Sequence, residues 1–599
     1  MLGLGIFLFA LVVMDLATGL FYRLALYPSR RLVLAAALSM IALGVVSSTL
    51  QLERSPLLAA IGAAPIAPGA WLLYRLKKKA EERPEEPRGL LRYVVPAVLG
   101  ITPLGERITA RLGILEAADR AGIRWTRLEA AAITSLVLVA GLASTCIILG
   151  VAALTGSRLL LAVSPLPLLV LPLLRLHLDA KAKERARIAE EELPYLSLWA
   201  WLLERSGSGG LEDALEEARR SGLLLALGAD AGKSLEELAR RHPSRRLRRF
   251  YAYYLAIRDT GGDVAAFLAD ILRSEIDELR ARVTAYAENG VALGTGLLGM
   301  LGTALIFVLF SAFLGAGGAG LAAIAILLAA PMGYLVLSMQ QPRLRERYED
   351  AKAAVAAVVA ASAAALLGSL LMLPAIMAVG LAATAGLSVY GVAFRAQKRI
   401  VNKEEQELLP LLRMVIEYTR SMSDKPISQL LGQAAGSVEE PLAGVARAAA
   451  KTGNVAARSW LARYTLYTVV KLVGGQGASD PLALERLYDL VYAHVNTYKA
   501  ASMRLRMLGA LAVGFPPVVV AAASGLQKIV GGTVAPMLQA LPVSFTGGIA
   551  EVIAWLALLG AGVMGFLAAK AVSLTVRDTL WPLAAVLATL LSILAFGAF

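Results

Sequence analysis

The sequence predicts an all-α, polytopic membrane protein, with about twelve transmembrane helices and two cytoplasmic helical-bundle domains in tandem repeat. Three observations predict it. First, 57% of the 599 residues are hydrophobic, only 17% are charged, and mean hydropathy is +0.65. Apolar runs of roughly 18 residues or more read as membrane-spanning helices, because a helix satisfies its own backbone in lipid. Second, one ordered set of short motifs occurs twice. ELPYL (192–196), SGSGGLEDAL (206–215) and TGGD (260–263) recur as ELLPL (407–411), SMSDKPISQL (421–430) and VGGQG (473–477). Third, Lys and Arg cluster on one side of the spans.

Taken in order, residues 1–99 form an N-terminal transmembrane region with spans near 2–21, 32–50 and 56–74. The first run lacks a basic start and a small-residue cleavage site, so it reads as a retained helix rather than a secretory signal. Asp15 within it is costly against lipid and reads as a charge near the membrane boundary. EERPEEPR (81–88) is charged and Pro-interrupted, a domain boundary. Residues 100–176 hold a charged amphipathic lead-in (104–132) and a hairpin of spans near 128–152 and 158–176. Residues 177–288 form the first cytoplasmic domain. Residues 289–394 carry spans near 289–314, 319–339, 353–372 and 375–394. Residues 395–506 form the second domain, and 507–599 hold spans near 507–525, 550–572 and 580–598.

Orientation follows from the basic residues. Arg23, Arg30 and Arg31 follow the first span, Lys77, Lys78 and Lys79 the third, and Arg343, Arg345 and Arg347 the seventh. The loops at 156–158, 315–320 and 373–374 are poor in charge. The positive-inside rule then puts the N-terminus outside and both polar islands in the cytoplasm. A net charge of +14 needs no nucleic acid to explain it.

The islands read as helical. In 211–220, Leu211, Ala214, Leu215 and Ala218 share one face, with acids opposite. Ser234 and Glu237 have capping-box spacing at the start of another helix. Residues 267–283 repeat apolar positions at helical spacing and should run on into the next span. Alternating β-branched runs are missing from both islands, so strands are not expected. Each island, about 110 residues, is long enough for a small bundle with its own core.

The sequence assigns no catalytic, cofactor-binding or metal-binding residue. GADAGKS (228–234) has three residues between its glycines where a phosphate loop needs four, and reads as a turn before a capped helix. GTGLLG (294–299) lies in a span and reads as helix packing. One cysteine, Cys146, allows no disulfide framework, and His177, His242 and His494 have no partner at ligand spacing. The promising surface is RRHPSRRLRR (240–249), with Arg240, Arg241, Arg245, Arg246, Arg248 and Arg249. It reads as a docking surface for an acidic partner. The competing readings are a solvated face, attraction to anionic lipid, or pairing with Glu212, Asp213, Glu216 and Glu217.

The ordered motifs resemble the type II secretion system F domain, found in the membrane platform proteins of type IV pilus, archaellum and type II secretion machines. The likeness covers about residues 100–575. It rests in the first island on Leu193, Pro194, Ser206, Gly207, Leu211, Leu215, Pro243, Gly261 and Gly262, and in the second on Pro410, Gly474 and Gly475. The second copy is looser, with Met422 standing where the first has Gly207. The two-copy layout with extra N-terminal spans is similar to archaeal versions. The resemblance implies a non-enzymatic platform in the cell membrane without cofactors. It would receive a hexameric secretion ATPase on its cytoplasmic domains, help pilin-like subunits leave the membrane lipid for a filament, and is compatible with a homodimer. The runner-up class is a repeat-built secondary transporter. That class favours broken helices and polar residues at the bilayer midplane, whereas polarity here is concentrated in the islands.

Overall fold

The computed structural model describes residues 102–123, 170–313, 351–422, 424–476, 480–529 and 549–596, with scattered residues of 125–145 and 333–348. The expected spans at 2–21, 32–50 and 56–74, the linker at 81–88, Asp15 and Cys146 lie outside the described residues. So do most of the spans at 128–152, 158–176 and 319–339, and the basic clusters used for orientation. Among the described residues every regular element is helical.

The chain divides into two compact units, Met1–Arg185 and Ala186–Phe599. In the first, α1 (Thr102–Leu112) and α2 (Ile114–Arg120) meet at Gly113, whose φ of +60° is open to glycine at little cost. The buried face of α2 (Ile114, Ala117 and Ala118) packs with Ile133, Leu174 and Leu178. The lead-in is therefore amphipathic in the way its sequence predicts. Leu174 and Leu178 belong to α3 (Val170–Ser206), which carries residues of both units.

The second unit follows as α4 (Leu211–Ser221), α5 (Leu225–Gly228), α6 (Leu235–Arg241), α7 (Arg245–Asp259) and α8 (Val264–Phe313). Then come α9 (Ala351–Leu370), α10 (Ala375–Ser421), α11 (Ile427–Ala434), α12 (Leu442–Thr452) and α13 (Trp460–Tyr467). It closes with α14 (Pro481–Ile529), α15 (Ile549–Ser573) and α16 (Leu580–Phe596). Four of these are long and apolar enough to cross a membrane: α9, α10, α14 and α15. The expected face of α4 is the buried one, namely Leu211, Ala214, Leu215 and Ala218. Ser234 caps α6 by accepting a hydrogen bond from the Glu237 amide. Residues 267–283 do run on unbroken, within the 50-residue α8.

Helices α3, α8, α10 and α14 have 37, 50, 47 and 49 residues. At 1.5 Å per residue they reach about 55–75 Å, far more than the ~30 Å of a bilayer core. In α8, α10 and α14 the surplus is polar and builds the islands.

The islands differ from expectation in one respect. Each has the length for its own core, yet a single cluster of buried side chains includes Leu193–Leu202 residues of the first island together with Trp460, Tyr464, Val469 and Leu487 of the second. Trp199 stacks on Tyr464 at 5.2 Å, and Tyr195 meets Trp460 edge-on at 4.9 Å. The polar tips are also satisfied across the seam. Trp199 Nε1 donates to Thr468 Oγ1, the Tyr464 hydroxyl to the Tyr195 carbonyl, and Trp460 Nε1 to the Leu223 carbonyl, each at 2.8 Å. Each buried ring contributes roughly 4–6 kcal/mol of transfer free energy as an upper bound. Separating the islands would forfeit several of these terms, so length alone is a poor guide to where the core divides.

Close helix approach depends on glycine at a few positions. Gly294, in the GTGLLG segment, faces Leu508 of α14, where an added Cβ would overlap Leu508 Cδ2. Gly296 and Gly299 have nothing within 4 Å among the described residues, so only part of that segment is a packing surface. Gly565 of α15 is held more rigidly. An added Cβ would overlap the Cα of Pro582 in α16, which is backbone and cannot swing away. Gly565→Ala is therefore expected to lower stability by about 1–3 kcal/mol in thermal unfolding of the detergent-solubilised protein. Gly562→Ala, on the same helix with nothing within 4 Å among the described residues, should be neutral or stabilise by up to about 1 kcal/mol. Equal effects at the two sites would contradict the packing described.

Candidate functional site

The basic run forms the end of α6, a turn, and the first turns of α7. His242 anchors the turn. Its Nδ1 accepts from the Ser244 amide at 3.1 Å, while its Nε2 lies 3.2 Å from the buried Asp230 carboxylate. Ser244 then caps α7, its hydroxyl oxygen accepting from the Leu247 amide and its proton donated to Glu190 of α3 at 2.5 Å. Leu247, Phe250, Tyr251, Tyr254 and Leu255 turn inward. The arginines are thereby left on the opposite side.

Of the six arginines, Arg246 alone forms ion pairs among the described residues. It contacts Glu275 at 2.6 Å and Glu278 at 2.9 Å. Among the described residues Arg240, Arg241, Arg245, Arg248 and Arg249 form no ion pair, and all but the half-buried Arg248 are exposed. The expected alternative partners are taken elsewhere. Glu212 binds Arg258, Glu216 binds Arg219 and Arg220, Glu217 accepts from Tyr467, and Asp213 accepts from the Gly210 amide. Pairing with those four acids therefore does not account for the run.

Position on the helix adds to this. Arg245, Arg248 and Arg249 stand at the N-terminal end of α7, where the aligned peptide dipoles are positive, and no acid shares the first turn. Each such cation costs roughly 0.3–1 kcal/mol at low ionic strength. Tyr253, 59% exposed, extends the same face with an aromatic ring. In the second island α13, which also starts at a serine cap, has Trp460, Leu461, Ala462 and Tyr464 buried in the shared core. One island has a buried helix face at this place and the other a bare cationic one.

The motif residues fall into supporting roles. Leu193, Leu211 and Leu215 are core, and Pro194 and Pro410 lie inside α3 and α10. The Ser206 hydroxyl donates to the Leu203 carbonyl. Gly207 and Gly261 have φ of +66° and +72°, the left-handed region that glycine enters freely, whereas Met422 has a φ of −135°, outside it. Gly262 and Gly474 sit close under Ile257 and Ile427, Gly475 faces open space, and Pro243 lies in the turn before α7. The Glu of ELPYL holds a neighbouring helix start: Glu192 is 2% exposed and accepts the amides of Ala226 and Leu227 in the first turn of α5.

One pattern is not apparent from the sequence. Ser244 donates to Glu190, and Ser459, the N-cap of α13, donates to Glu405 at 2.9 Å, each pair separated by 54 residues. The recurring interval was the available signal, but Glu and Ser are too common for it to stand out. The two latches differ in charge. Arg282 lies 3.6 Å from Glu190, while Glu405 has no ion pair among the described residues. Burial, followed by the nearby Glu346 charge, pushes the Glu405 carboxyl up to about 7, although the Ser459 hydrogen bond opposes this.

Compared with known proteins, the chain matches no family model, no curated protein and no solved structure.

The raised Glu405 carboxyl has a consequence for stability. An acid with a folded pKa above its unfolded value of 4.5 contributes most below pH 4.5, and the contribution is lost as pH rises through about 7. Glu405→Gln keeps an acceptor for Ser459 and removes the charge. The variant should therefore melt above the wild type at pH 8 and no higher than it at pH 5. Equal pH dependence of melting in the two proteins would show that Glu405 is not the titrating group.

Proposed function

We propose that the chain is a non-enzymatic platform protein of a type IV pilus-like, archaellum or type II secretion-like machine, coupling a cytoplasmic secretion ATPase to the assembly of pilin-like subunits. The carrying observation is the bare cationic face of α7, set on an island whose helices continue unbroken into apolar segments. Such a helix moves as a rod, so a push on the islands displaces its membrane half. The ordered motifs and the paired Ser–Glu latches support a tandem repeat of two F-type modules. On this reading the chain crosses the membrane about twelve times, starts outside, and keeps both islands in the cytoplasm. The partners are then a hexameric ATPase at the islands, pilin-like subunits in the membrane, and a second copy if the platform is dimeric.

The test is binding of the cognate ATPase to the full-length protein. Arg245, Arg248 and Arg249 are reversed to Glu together; Arg246 is left alone because it holds Glu275 and Glu278. Affinity should fall roughly tenfold or more at low salt, and the difference should shrink as salt shortens the screening length to below about 8 Å. Filament assembly should fail while the protein still accumulates in the membrane. Unchanged ATPase affinity would remove this face from the docking surface.

A further inference from the structure

Helices α3, α8, α10 and α14 do not close fully on one another. They enclose a cavity of about 890 Å³ at the level where the islands give way to apolar helix. Three of its lining residues mark that level. Asn289 opens the apolar stretch of α8, Arg506 immediately precedes that of α14, and Ser573 ends α15. The cavity therefore borders the layer in which phospholipid headgroups lie, a few ångströms deep on each side of the hydrocarbon.

Its cations are unevenly matched. Arg246 and Arg282 are bound to Glu278, Lys398 to Asp578 at 3.1 Å, and Arg187 lies 3.7 Å from Glu191 while donating to the Ser338 and Gln341 carbonyls. Lys499 and Arg506 also line the cavity, and neither has an ion-pair partner among the described residues. They are seven residues apart on α14, hence on one face and about 10 Å apart along the axis. The lining amides of Asn289, Asn402 and Gln406 likewise have no hydrogen-bond partner among the described residues. Six carboxylates line it too: Glu190, Glu275 and Glu278 are bound by arginine, Glu191 lies near Arg187, Glu405 accepts from the Ser459 hydroxyl, and Glu346 completes the set. What remains on the cationic side is Lys499 and Arg506, which with the three amides are exposed at the mouth of the cavity.

Two cations and three amides are suited to an oxyanion with several acceptor oxygens. We propose that this cavity binds a phosphate-bearing anion at the membrane surface, held by Lys499 and Arg506 with the amides of Asn289, Asn402 and Gln406. Its level at the ends of three apolar helices favours the headgroup of an anionic phospholipid as the source. The site does not depend on which machine the chain serves.

The experiment uses the full-length protein in detergent, with bound lipid read by native mass spectrometry. Phosphatidylglycerol should be retained in preference to phosphatidylcholine. Lys499→Gln with Arg506→Gln should reduce that retention about tenfold, and the charge-preserving pair Lys499→Arg with Arg506→Lys should restore most of it. Neutralising Arg413 and Lys451, which do not line the cavity, should change nothing. In a second arm, inorganic phosphate is titrated against thermal stability. Stabilisation of the wild type and not of the Gln pair, without any lipid preference, would keep the phosphate site and assign it to a soluble anion. Equal lipid retention and equal phosphate response in wild type and Gln pair would overturn the site, as would a loss of the same size in the control pair.

Discussion

The seam between the two islands is the contact on which the rest depends. Tyr195 and Trp199 lie on α3, and Trp460 and Tyr464 on α13, more than 250 residues later in the chain. Their rings supply apolar area, and the Trp199, Trp460 and Tyr464 tips find acceptors on the opposite island, so these rings are buried without stranding their own polar atoms. The Tyr195 hydroxyl also pairs with His494 Nδ1, tying the same point to α14. With the seam closed, helices α3, α10 and α14 are held at fixed places in one body. With it open, they would be separate levers.

That arrangement gives the asymmetry of the islands a physical reason. At the start of α7 the sequence reads RRLRRF, and at the start of α13 it reads WLARYT. The second is apolar and aromatic because it fills the seam. The first is cationic and, among the described residues, uncovered, and it keeps arginines against the helix dipole at a real cost. A similar contrast separates the latches, where Glu190 has Arg282 3.6 Å away and Glu405 forms no ion pair among the described residues. The two islands thus share a serine-capped helix start and differ in charge there, one helix face being covered and the other exposed.

Much of the helical content was legible because it is periodic. The buried face of α4, the Ser234 cap and the continuation of 267–283 into α8 all follow from spacing that a helix imposes. The basic run was visible as composition, but which arginine serves the fold was not. Arg246 differs from Arg245 only in the direction its helix turns it, toward Glu275. The shared core was invisible for a related reason. Aromatic residues at 195, 199, 460 and 464 read equally well as two separate cores, and only the pairing of distant segments decides between them. The glycines of 294–299 show the same limit, since among the described residues Gly294 alone of the three meets a neighbouring helix.

The joint core is most directly tested by hydrogen exchange on the full-length protein carrying Trp460→Ala. Loss of a buried aromatic of this kind costs about 3–5 kcal/mol, enough to raise exchange by two to three orders of magnitude wherever its stability is shared. If the islands are one body, amides near 193–202 in the first island should lose protection together with those near 460–470 in the second. Faster exchange confined to the second island, with the first unchanged, would contradict a common core.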